Sequence, residues 1–420
     1  MFGWITGLLL AAAVIVIVAN LRVRGDQIRH RIDSLYEAED PPFRRAISTL
    51  LGPTLLEGNR VTPLYNGDRI FPAMLEAIAT ARKTITFETF IYWKGEIGRR
   101  FAEALAERAR AGVRVHVLLD WIGTKKLDDD SIEMMKSAGV EVCRYRPLHW
   151  WNLHRVNNRT HRKILVVDGR VGFTGGVGIA DVWSGNAQDP EHWRDTHFRV
   201  EGPVVGQMQA AFLDNWVESE SRLLHGDDYF PPLEPLGEHL ANMFTSAPEN
   251  GTESARLLYL LSIASAKRRI RIASAYFVPD ELSIEMLCAA RRRGVEIQIL
   301  VPGKNIDTAV TRRASRSLWG PLLECGIEIF EFQPTMLHVK VMIIDEVFTS
   351  VGSTNFDNRS FKLNDEANLN ILDRALGESQ ARVFDEDLKR AKRVTLEAWR
   401  HRPFREKAIE KLASLIRWEL

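Results

Sequence analysis

The stretch HRKILVVDGRVGFTGG (residues 161–176) returns later in the chain as HVKVMIIDEVFTSVGS (residues 338–353). Each copy has a lysine two residues after the histidine, an aspartate five residues after that lysine, and a pair of small residues beyond the aspartate. Residues two apart lie on the same face of a β-strand, so each histidine is expected beside its lysine. One short motif arises readily by chance, but two copies in register predict a common role.

The segments before each motif repeat as well. In the first half, the alternating strand KTITFETFIY, a charged helix and the apolar strand VRVHVLLD precede the motif. In the second half, RRIRIASAYFV, a helix and VEIQILVPG come in the same order. This recurrence indicates an internal duplication. The predicted fold class is α/β, with two similar domains related by pseudo-twofold symmetry.

The N-terminus predicts a membrane anchor. Residues 1–21 carry no charge and are long enough to cross a bilayer as a helix. Arginines follow at once, and the positive-inside rule then places the rest of the chain in the cytoplasm. A cleaved signal peptide is the alternative, but it would need a basic region before the apolar run.

The whole chain of 420 residues is expected to divide into six segments. The segment at 226–255 is rich in Pro, Gly and acidic residues, which is typical of a linker. The tail places Ile409, Leu412, Leu415 and Ile416 on one helical face, which could dock on the protein or on a membrane surface. The predicted segments are a transmembrane anchor (1–24), a juxtamembrane helical segment broken at Pro41-Pro42 (25–60), domain 1 (61–225), a linker (226–255), domain 2 (256–400) and an amphipathic C-terminal helix (401–420).

Charge and cysteine content narrow the classes of partner. Lys plus Arg (56) nearly balances Asp plus Glu (55), for a net charge of +1. A non-specific nucleic-acid binder usually has a basic excess, so no nucleic-acid partner is expected. The three cysteines are widely spaced without a CxxC, which predicts buried free thiols in a reducing compartment rather than disulfides or zinc ligands.

The doubled motif suits phosphate chemistry. Lysine neutralises phosphate oxygens, and histidine can act as nucleophile, acid or base. Two such pairs facing each other across a domain interface support displacement in two steps through a phosphohistidine. Four basic side chains also supply the charge stabilisation that a metal would otherwise provide, so neither metal nor other cofactor is expected.

The two motif copies, with GG and GSTNFDNRS downstream, resemble the doubled HxK(x)4D signature of the phospholipase D superfamily. The stretches ETFIYWKG, HWRDTHFRVEGP and NFDNRSFKLNDEANLNI are similar to its bacterial cardiolipin synthase branch, and the resemblance covers residues 60–400. It implies that the histidines are nucleophile and general acid/base in either order, that the lysines hold phosphate, and that the aspartates are mainly structural. The implied catalytic-motif residues are His161, Lys163, Asp168, His338, Lys340 and Asp345.

The resemblance also implies supporting residues. Asp195 and Glu366 would each orient a histidine, and Asn355, with Ser353 in the same GSTN stretch, would support the phosphate. One departure stands out, because Gly178 lies where the family pattern has asparagine in the first copy. The first half-site is therefore expected to bind phosphate less fully, with a backbone amide or water in place of the missing side chain.

The function implied is that of a single-pass enzyme of the bacterial inner (cell) membrane, with its catalytic domains on the cytoplasmic side. It would transfer a phosphatidyl group from phosphatidylglycerol to another phospholipid alcohol, forming cardiolipin in the lipid bilayer and releasing glycerol. A hydrolytic phospholipase D, a nuclease or other phosphodiesterase, and a non-catalytic lipid-binding scaffold are the alternatives.

Overall fold

The computed structural model describes residues 28–147, 157–248 and 253–415. The anchor predicted for residues 1–24 lies outside these ranges. Within them, no helix combines the length and the apolar character needed to cross a bilayer. The described chain has the mixed α/β fold that the sequence predicts.

The strands and helices alternate along much of the chain. The strands are β1 (Leu56–Tyr65), β2 (Thr84–Thr89), β3 (Arg114–Asp120), β4 (Glu141–Tyr145), β5 (Ile164–Val167), β6 (Val171–Gly175), β7 (Thr196–Glu201), β8 (His239–Ser246), β9 (Arg269–Ser274), β10 (Phe277–Val278), β11 (Glu296–Pro302), β12 (Glu328–Phe332), β13 (Lys340–Ile344), β14 (Phe348–Gly352), β15 (Phe356–Asp357), β16 (Glu366–Leu372) and β17 (Ala391–Val394). The α-helices are α1 (Pro41–Ala46), α2 (Gly67–Ala79), α3 (Glu96–Arg110), α4 (Asp129–Ser137), α5 (Val204–Glu220), α6 (Ser254–Ser265), α7 (Glu281–Arg292), α8 (Ala309–Ser317), α9 (Trp319–Glu324), α10 (Asn358–Lys362), α11 (Arg374–Lys389), α12 (Leu396–Arg400) and α13 (Phe404–Ser414).

Fifteen strands of the described residues form one sheet, in the order β17-β12-β11-β9-β13-β14-β16-β8-β1-β7-β6-β5-β2-β3-β4. The order β1-β7-β6-β5-β2-β3-β4 of the first half thus matches β8-β16-β14-β13-β9-β11-β12 of the second. In both halves the strand after the HxK motif, β5 or β13, runs antiparallel to the first strand of a parallel pair. The halves join where β1 pairs with β8. The repeated order of elements predicted from the sequence is present.

The apolar segments form strands because both faces of the sheet are covered. Every residue of β2, β5 and β13 is buried, as expected of strands packed between layers of helix. The helix α3 covers one face with Phe101 and Leu105, which are fully buried four residues apart on one helical face. The ends of β5 and β13 that carry the motifs are therefore held in a rigid layer.

The predicted linker at 226–255 is wrong for its central part. Strand β8 lies within it and pairs with β16 from Glu366↔Ser246 to Leu372↔Leu240. The second repeat therefore begins at β8, well before residue 256. The turn-forming residues just before β8 dominate the composition of the segment and conceal a strand that tertiary pairing places in the middle of the sheet.

The predicted helical segment at 25–60 also differs from the structure. Residues 28–40 form no regular helix, and α1 begins at Pro41 rather than breaking there. Proline suits the first turn of a helix because its missing N–H has no partner at that position. Strand β1 then begins at Leu56, five residues before the predicted start of domain 1.

The cysteine prediction holds for one residue and fails for two. Cys143 is a buried free thiol, as expected. Cys288 of α7 and Cys325 at the end of α9 form a disulfide, with their Cα atoms 5.6 Å apart. Their separation of 37 residues gives no sign of this pairing, which depends on how the two helices pack.

The C-terminal helix is present, but it docks through a different face from the predicted stripe. Its buried residues are Glu410 and Ala413, whereas Leu412 and Leu415 are 66% and 67% exposed. Glu410 accepts hydrogen bonds from Arg316 of α8 and from Arg402. A buried ion pair thus fixes the helix, and the apolar side chains point outward.

Candidate active site

The two HxK motifs meet at the junction of the halves, and backbone hydrogen bonds hold them there. The N–H of His161 donates to the carbonyl of Asp365 at 2.8 Å, and the N–H of His338 donates to the carbonyl of Arg194 at 2.8 Å. In each case the histidine belongs to one half and the acceptor to the other. The position of each imidazole therefore depends on the opposite half.

Each histidine is also paired with an acid from the opposite half. His161 Nδ1 lies 3.0 and 3.1 Å from the two carboxylate oxygens of Glu366, and His338 Nδ1 lies 2.8 Å from Asp195 Oδ2. All four side chains are buried. A carboxylate on Nδ1 leaves Nε2 as the nitrogen free for a substrate and sets the orientation of the ring. The sequence identified both acids, but not that they serve the histidines crosswise.

The lysines lie on the same buried layer. Lys163 Nζ donates to the carbonyl of His161 at 2.7 Å, and Lys340 Nζ donates to the carbonyl of His338 at 2.7 Å. Lys340 Nζ is also 3.0 Å from each ring nitrogen of His338. Four basic groups thus converge on a buried region that two carboxylates serve, an arrangement suited to an anion.

Burial and mutual repulsion shift the pKa values of these groups. Burial lowers the pKa of His161 to about 4 and that of His338 well below its usual value, and the neighbouring lysines act in the same direction. Burial, with the charge of Lys340, lowers the pKa of Lys163 to about 7, and burial lowers that of Lys340 to about 8. Without an anion in the site both histidines are therefore neutral, which is the nucleophilic form of imidazole.

The acid beside His161 is held by the GSTN segment. Ser353 Oγ donates to Glu366 Oε2 at 2.5 Å, and Asn364 Nδ2 donates to Oε1 at 3.2 Å. Burial acts to raise the pKa of Glu366, but its interactions with His161 and the hydrogen bond from Ser353 lower it overall. Asn355 is buried, and its Oδ1 has no hydrogen-bond partner among the described residues. The amide oxygen of Asn355 is therefore available as a hydrogen-bond acceptor.

The acid beside His338 has different support. Trp183 Nε1 donates to Asp195 Oδ2 at 3.0 Å, and the N–H of Thr196 donates to Oδ1 at 2.8 Å. Gly176 occupies the position that corresponds to Ser353, and a Cβ there would lie 2.2 Å from Asp195 Oδ1. The glycine is required because the carboxylate takes the space of a side chain. Burial raises the pKa of Asp195 to about 6.

The missing asparagine at Gly178 is explained by the same tryptophan. A Cβ at Gly178 would lie 2.8 Å from Cβ of Ile91 and 3.1 Å from ring atoms of Trp183. The indole and Ile91 therefore leave no room for a side chain at Gly178. That a water or backbone amide contacts the phosphate there stays a prediction.

Aromatic rings against the histidines were missed in the sequence. The ring centroids of Trp183 and Trp193 lie 5.2 and 5.6 Å from that of His338, and Phe90 lies 5.3 Å from His161. Gly178 was the one sign of them in the sequence, because a glycine in place of the family's asparagine indicates that a bulky side chain takes that space. These rings exclude water from the imidazoles and strengthen the electrostatic interactions around them.

The motif aspartates lie away from this cluster. Asp168 accepts hydrogen bonds from the backbone N–H groups that lead into β2, and Asp345 does the same for β9. Both have positive φ angles, 53° and 52°, at the ends of β5 and β13 that are remote from the histidines. Neither bonds to a motif histidine or lysine, so their inclusion among the catalytic residues is corrected to a role in holding the strands.

Two buried HxK pairs, each histidine paired with an acid from the other repeat, define a phosphodiester-transferring enzyme. The comparisons agree: the family described as "Cardiolipin synthase, PLD-like domain" matches residues 74–189 and 259–388. The chain is 33% identical over 362 residues to cardiolipin synthase 1 of Bacillus anthracis, covering 84% of this chain and 71% of that protein. It is 34% identical over 364 residues to cardiolipin synthase A of Pseudomonas putida, covering 86% and 75%.

The chain belongs to the cardiolipin synthase family of phospholipase D-like proteins and is an enzyme of the phosphatidyltransferase class. Its fold resembles the crystal structure of phosphatidylserine synthase from Haemophilus influenzae, with a TM-score of 0.69 at 13% identity. That match covers 90% of this chain and 100% of the other, and it supports the fold alone.

Proposed function

We propose that this enzyme makes cardiolipin by transferring a phosphatidyl group from one phosphatidylglycerol to a hydroxyl of a second, with release of glycerol. The observation that carries the proposal is the crosswise pairing of His161 with Glu366 and of His338 with Asp195 around two lysines. A binding protein needs cationic groups, but it does not need two imidazoles held by acids.

The reaction takes place in two displacements at phosphorus. One neutral histidine attacks, the bond from phosphorus to the glycerol oxygen breaks, and the second histidine gives that oxygen a proton. In the second step a new hydroxyl attacks the phosphohistidine, the P–N bond breaks, and the second histidine takes the hydroxyl proton. A pseudo-twofold relation between the two repeats would place the histidines on opposite sides of the phosphorus, as in-line displacement requires.

The remaining residues position the phosphate. Lys163, Lys340 and the side-chain N–H group of Asn355 donate to its non-bridging oxygens, and Ser353 holds Glu366. The bound anion changes the local electrostatics, because its negative charge opposes the burial and the lysine charges that together lower the pKa of each histidine. The acid histidine therefore gains its proton when the substrate is present.

The test supplies purified protein with labelled phosphatidylglycerol in mixed micelles and separates the products. Cardiolipin with a matching amount of free glycerol supports transfer between lipids. Phosphatidic acid as the main product would indicate hydrolysis instead. An absence of conversion would refute phosphatidyl transfer for this chain.

We also propose that the enzyme is anchored in the inner membrane by residues 1–24 and touches the bilayer through α13. Phe404, Leu412 and Leu415 are 85%, 66% and 67% exposed on one side of this helix, away from its docked face. Lys407 and Lys411 are exposed beside them and complement anionic lipid. Replacing Leu412 and Leu415 by serine should reduce binding of the purified chain to phosphatidylglycerol vesicles, and unchanged binding would remove α13 from the contact.

Two observations disagree about the side of the membrane. The arginines after residue 21 support a cytoplasmic catalytic domain, which we propose, whereas the Cys288–Cys325 disulfide is typical of an oxidising compartment. Maleimide labelling of unfolded protein from cells quenched with acid distinguishes them. Free thiols at both positions support the cytoplasmic side, and thiols that become reactive only after reduction place the domain on the outer side.

A further inference from the structure

A tyrosine–carboxylate pair, with its tyrosine close in sequence to the strand beside the second HxK motif, is left unused by the proposed mechanism. Tyr276 Oη donates to Asp307 Oδ2 at 2.6 Å. Asp307 is exposed and Tyr276 is partly buried. Among the described residues no group donates to the other carboxylate oxygen of Asp307, so it is available to a ligand.

Tyr276 is tied to the second HxK motif through its neighbours. The N–H of Ala275 donates to the carbonyl of Val339, which lies between His338 and Lys340. Tyr276 also packs against the apolar cluster that contains Trp183 and Trp193, the two rings beside His338.

The loop that carries Asp307 is fixed against the same motif. Asn305 Nδ2 donates to the carbonyls of Gln333 and Pro334, at 3.0 and 3.1 Å, in the segment that leads to His338. Burial lowers the pKa values of His338 and Lys340, and the negative charge of Asp307 opposes that shift in both. The charge of Asp307 therefore favours the protonated forms of His338 and Lys340.

The corresponding loop of the first repeat has the opposite charge. Lys125 lies five residues after the end of β3, as Asp307 lies five residues after the end of β11. Lys125 stacks over Trp121 at 4.3 Å and Lys126 over Trp93 at 4.0 Å, and both lysines are exposed. The loop after β3 thus carries positive charge, while the loop after β11 carries a carboxylate that repels phosphate and accepts hydrogen bonds.

We propose that Tyr276 and Asp307 form a subsite for the glycerol hydroxyls, first of the leaving headgroup and then of the acceptor. A carboxylate beside a tyrosine hydroxyl accepts hydrogen bonds from a neutral diol and disfavours a second phosphate at the same place. This inference rests on the proposed function and deepens it, because it names the residues that select a polyol acceptor over water.

The subsite also distinguishes the two histidines. In successive in-line displacements, the leaving alcohol and the incoming alcohol occupy the same side of the phosphorus, opposite the nucleophile. A glycerol subsite beside His338 makes His338 the group that gives and then takes the hydroxyl proton. His161 then forms the P–N bond in the first step and loses it in the second.

The experiment compares two reactions of the full chain in mixed micelles. One is cardiolipin formation from phosphatidylglycerol, and the other is nitrophenol release from phosphatidyl-p-nitrophenol, which has no glycerol headgroup. The variants are Asp307→Asn and Tyr276→Phe, which remove the charge and the donor with little change of shape. Asp385→Asn is the matched control. It removes the charge of a half-exposed carboxylate on α11, which pairs with Arg271 of β9.

The Asp307→Asn change should lower the ratio of cardiolipin formation to nitrophenol release by about tenfold or more, since hydrogen bonds to a charged group are the stronger ones. Phosphatidic acid should rise relative to cardiolipin, and Tyr276→Phe should show a smaller change in the same direction. The control should keep the wild-type ratio. Trapped phosphohistidine should map to His161.

Four results would overturn the subsite or the function on which it rests. An unchanged ratio in both variants refutes it, and so does an equal loss of both reactions in variants that melt at the wild-type temperature. Phosphohistidine at His338 refutes the assignment of the acceptor side. A wild-type chain that forms neither cardiolipin nor glycerol would refute the proposed function itself, and the subsite would fall with it.

Discussion

The two repeats carry the same HxK residues where they meet, but the side chains on the opposite face of each motif segment differ. Behind His161, the side chain of Glu88 accepts hydrogen bonds from Thr160 and Asn215, and Arg162 is buried nearby. Behind His338, the corresponding positions 337 and 339 carry Leu337 and Val339, which lie in an apolar cluster. The face turned to the other repeat is the same in both, whereas the reverse face is free to vary as long as its polar groups are satisfied.

The acids show the same contrast. In the second repeat a side chain, Ser353, holds Glu366, while in the first repeat Gly176 leaves room for Asp195 and Trp183 donates to it. Sites with equal roles therefore reach the same geometry through different partners. The two half-sites are therefore not interchangeable. Variants that exchange residues between them should lose different amounts of activity or stability.

The largest effect is expected from the histidines. His161→Asn or His338→Asn should lower cardiolipin formation by about a thousandfold or more, because each removes a nucleophile or a proton carrier. The double variant should lose little beyond the single ones, since the two act as a unit. Product yield from labelled phosphatidylglycerol measures this, and a single variant with near wild-type activity would contradict the two-histidine mechanism.

The next largest effect is expected on the stability of the fold, from the polar cluster of Glu88, Thr160, Arg162 and Asn215. Arg162→Val copies the residue of the other repeat but removes the positive charge that acts on buried Glu88 and the hydrogen bond to the carbonyl of Ala211, and should destabilise the fold by about 1–3 kcal/mol. The combined Glu88→Ala and Arg162→Val variant should recover part of that loss. Urea unfolding of the three proteins measures it, and equal midpoints for Arg162→Val and wild type would show that the network is dispensable.

The exchange of small residues beside the acids should be asymmetric. Gly176→Ser forces Asp195 to move, because the new Cβ would meet its carboxylate at 2.2 Å, and should lower activity by about a hundredfold. Ser353→Gly introduces no clash but removes the hydrogen bond to Glu366 and the one from the N–H of Ala367, and should cost about tenfold. Turnover of the two purified variants under identical conditions measures the asymmetry, and equal losses would mean that the half-sites tolerate exchange.

The smallest effect concerns pH. Lys163 and Lys340 have pKa values lowered to about 7 and about 8, so each loses the charge that holds phosphate as pH rises through those values. We expect kcat/KM to fall on the alkaline side of pH 7. Lys163→Arg keeps its charge and should move the first decline by about one pH unit upward. An unshifted alkaline limb would show that Lys163 does not control it.

Much of the fold and site could be predicted because it depends on the local pattern of apolar and polar residues. Alternating and continuous apolar runs identified the strands on either side of each motif, and their recurrence identified the duplication. The strand β8 was not predicted, because the segment HLANMFTS shows only a weak alternation and follows a run of Pro and Gly. Its identity as a strand depends on pairing with β16 and β1, which are distant in the sequence.

Sequence alone determined the repeated α/β order and the histidines and lysines, because spacing and residue type carry that information. The two candidate acids followed from the resemblance to the family. The tertiary structure alone decided that the acids pair crosswise, that Trp183 fills the space at Gly178, and that Cys288 meets Cys325. It also placed Tyr276 against Asp307. The physical reason is the same in each case, since these contacts join residues far apart in the chain and no local pattern encodes which distant side chains will share one buried space.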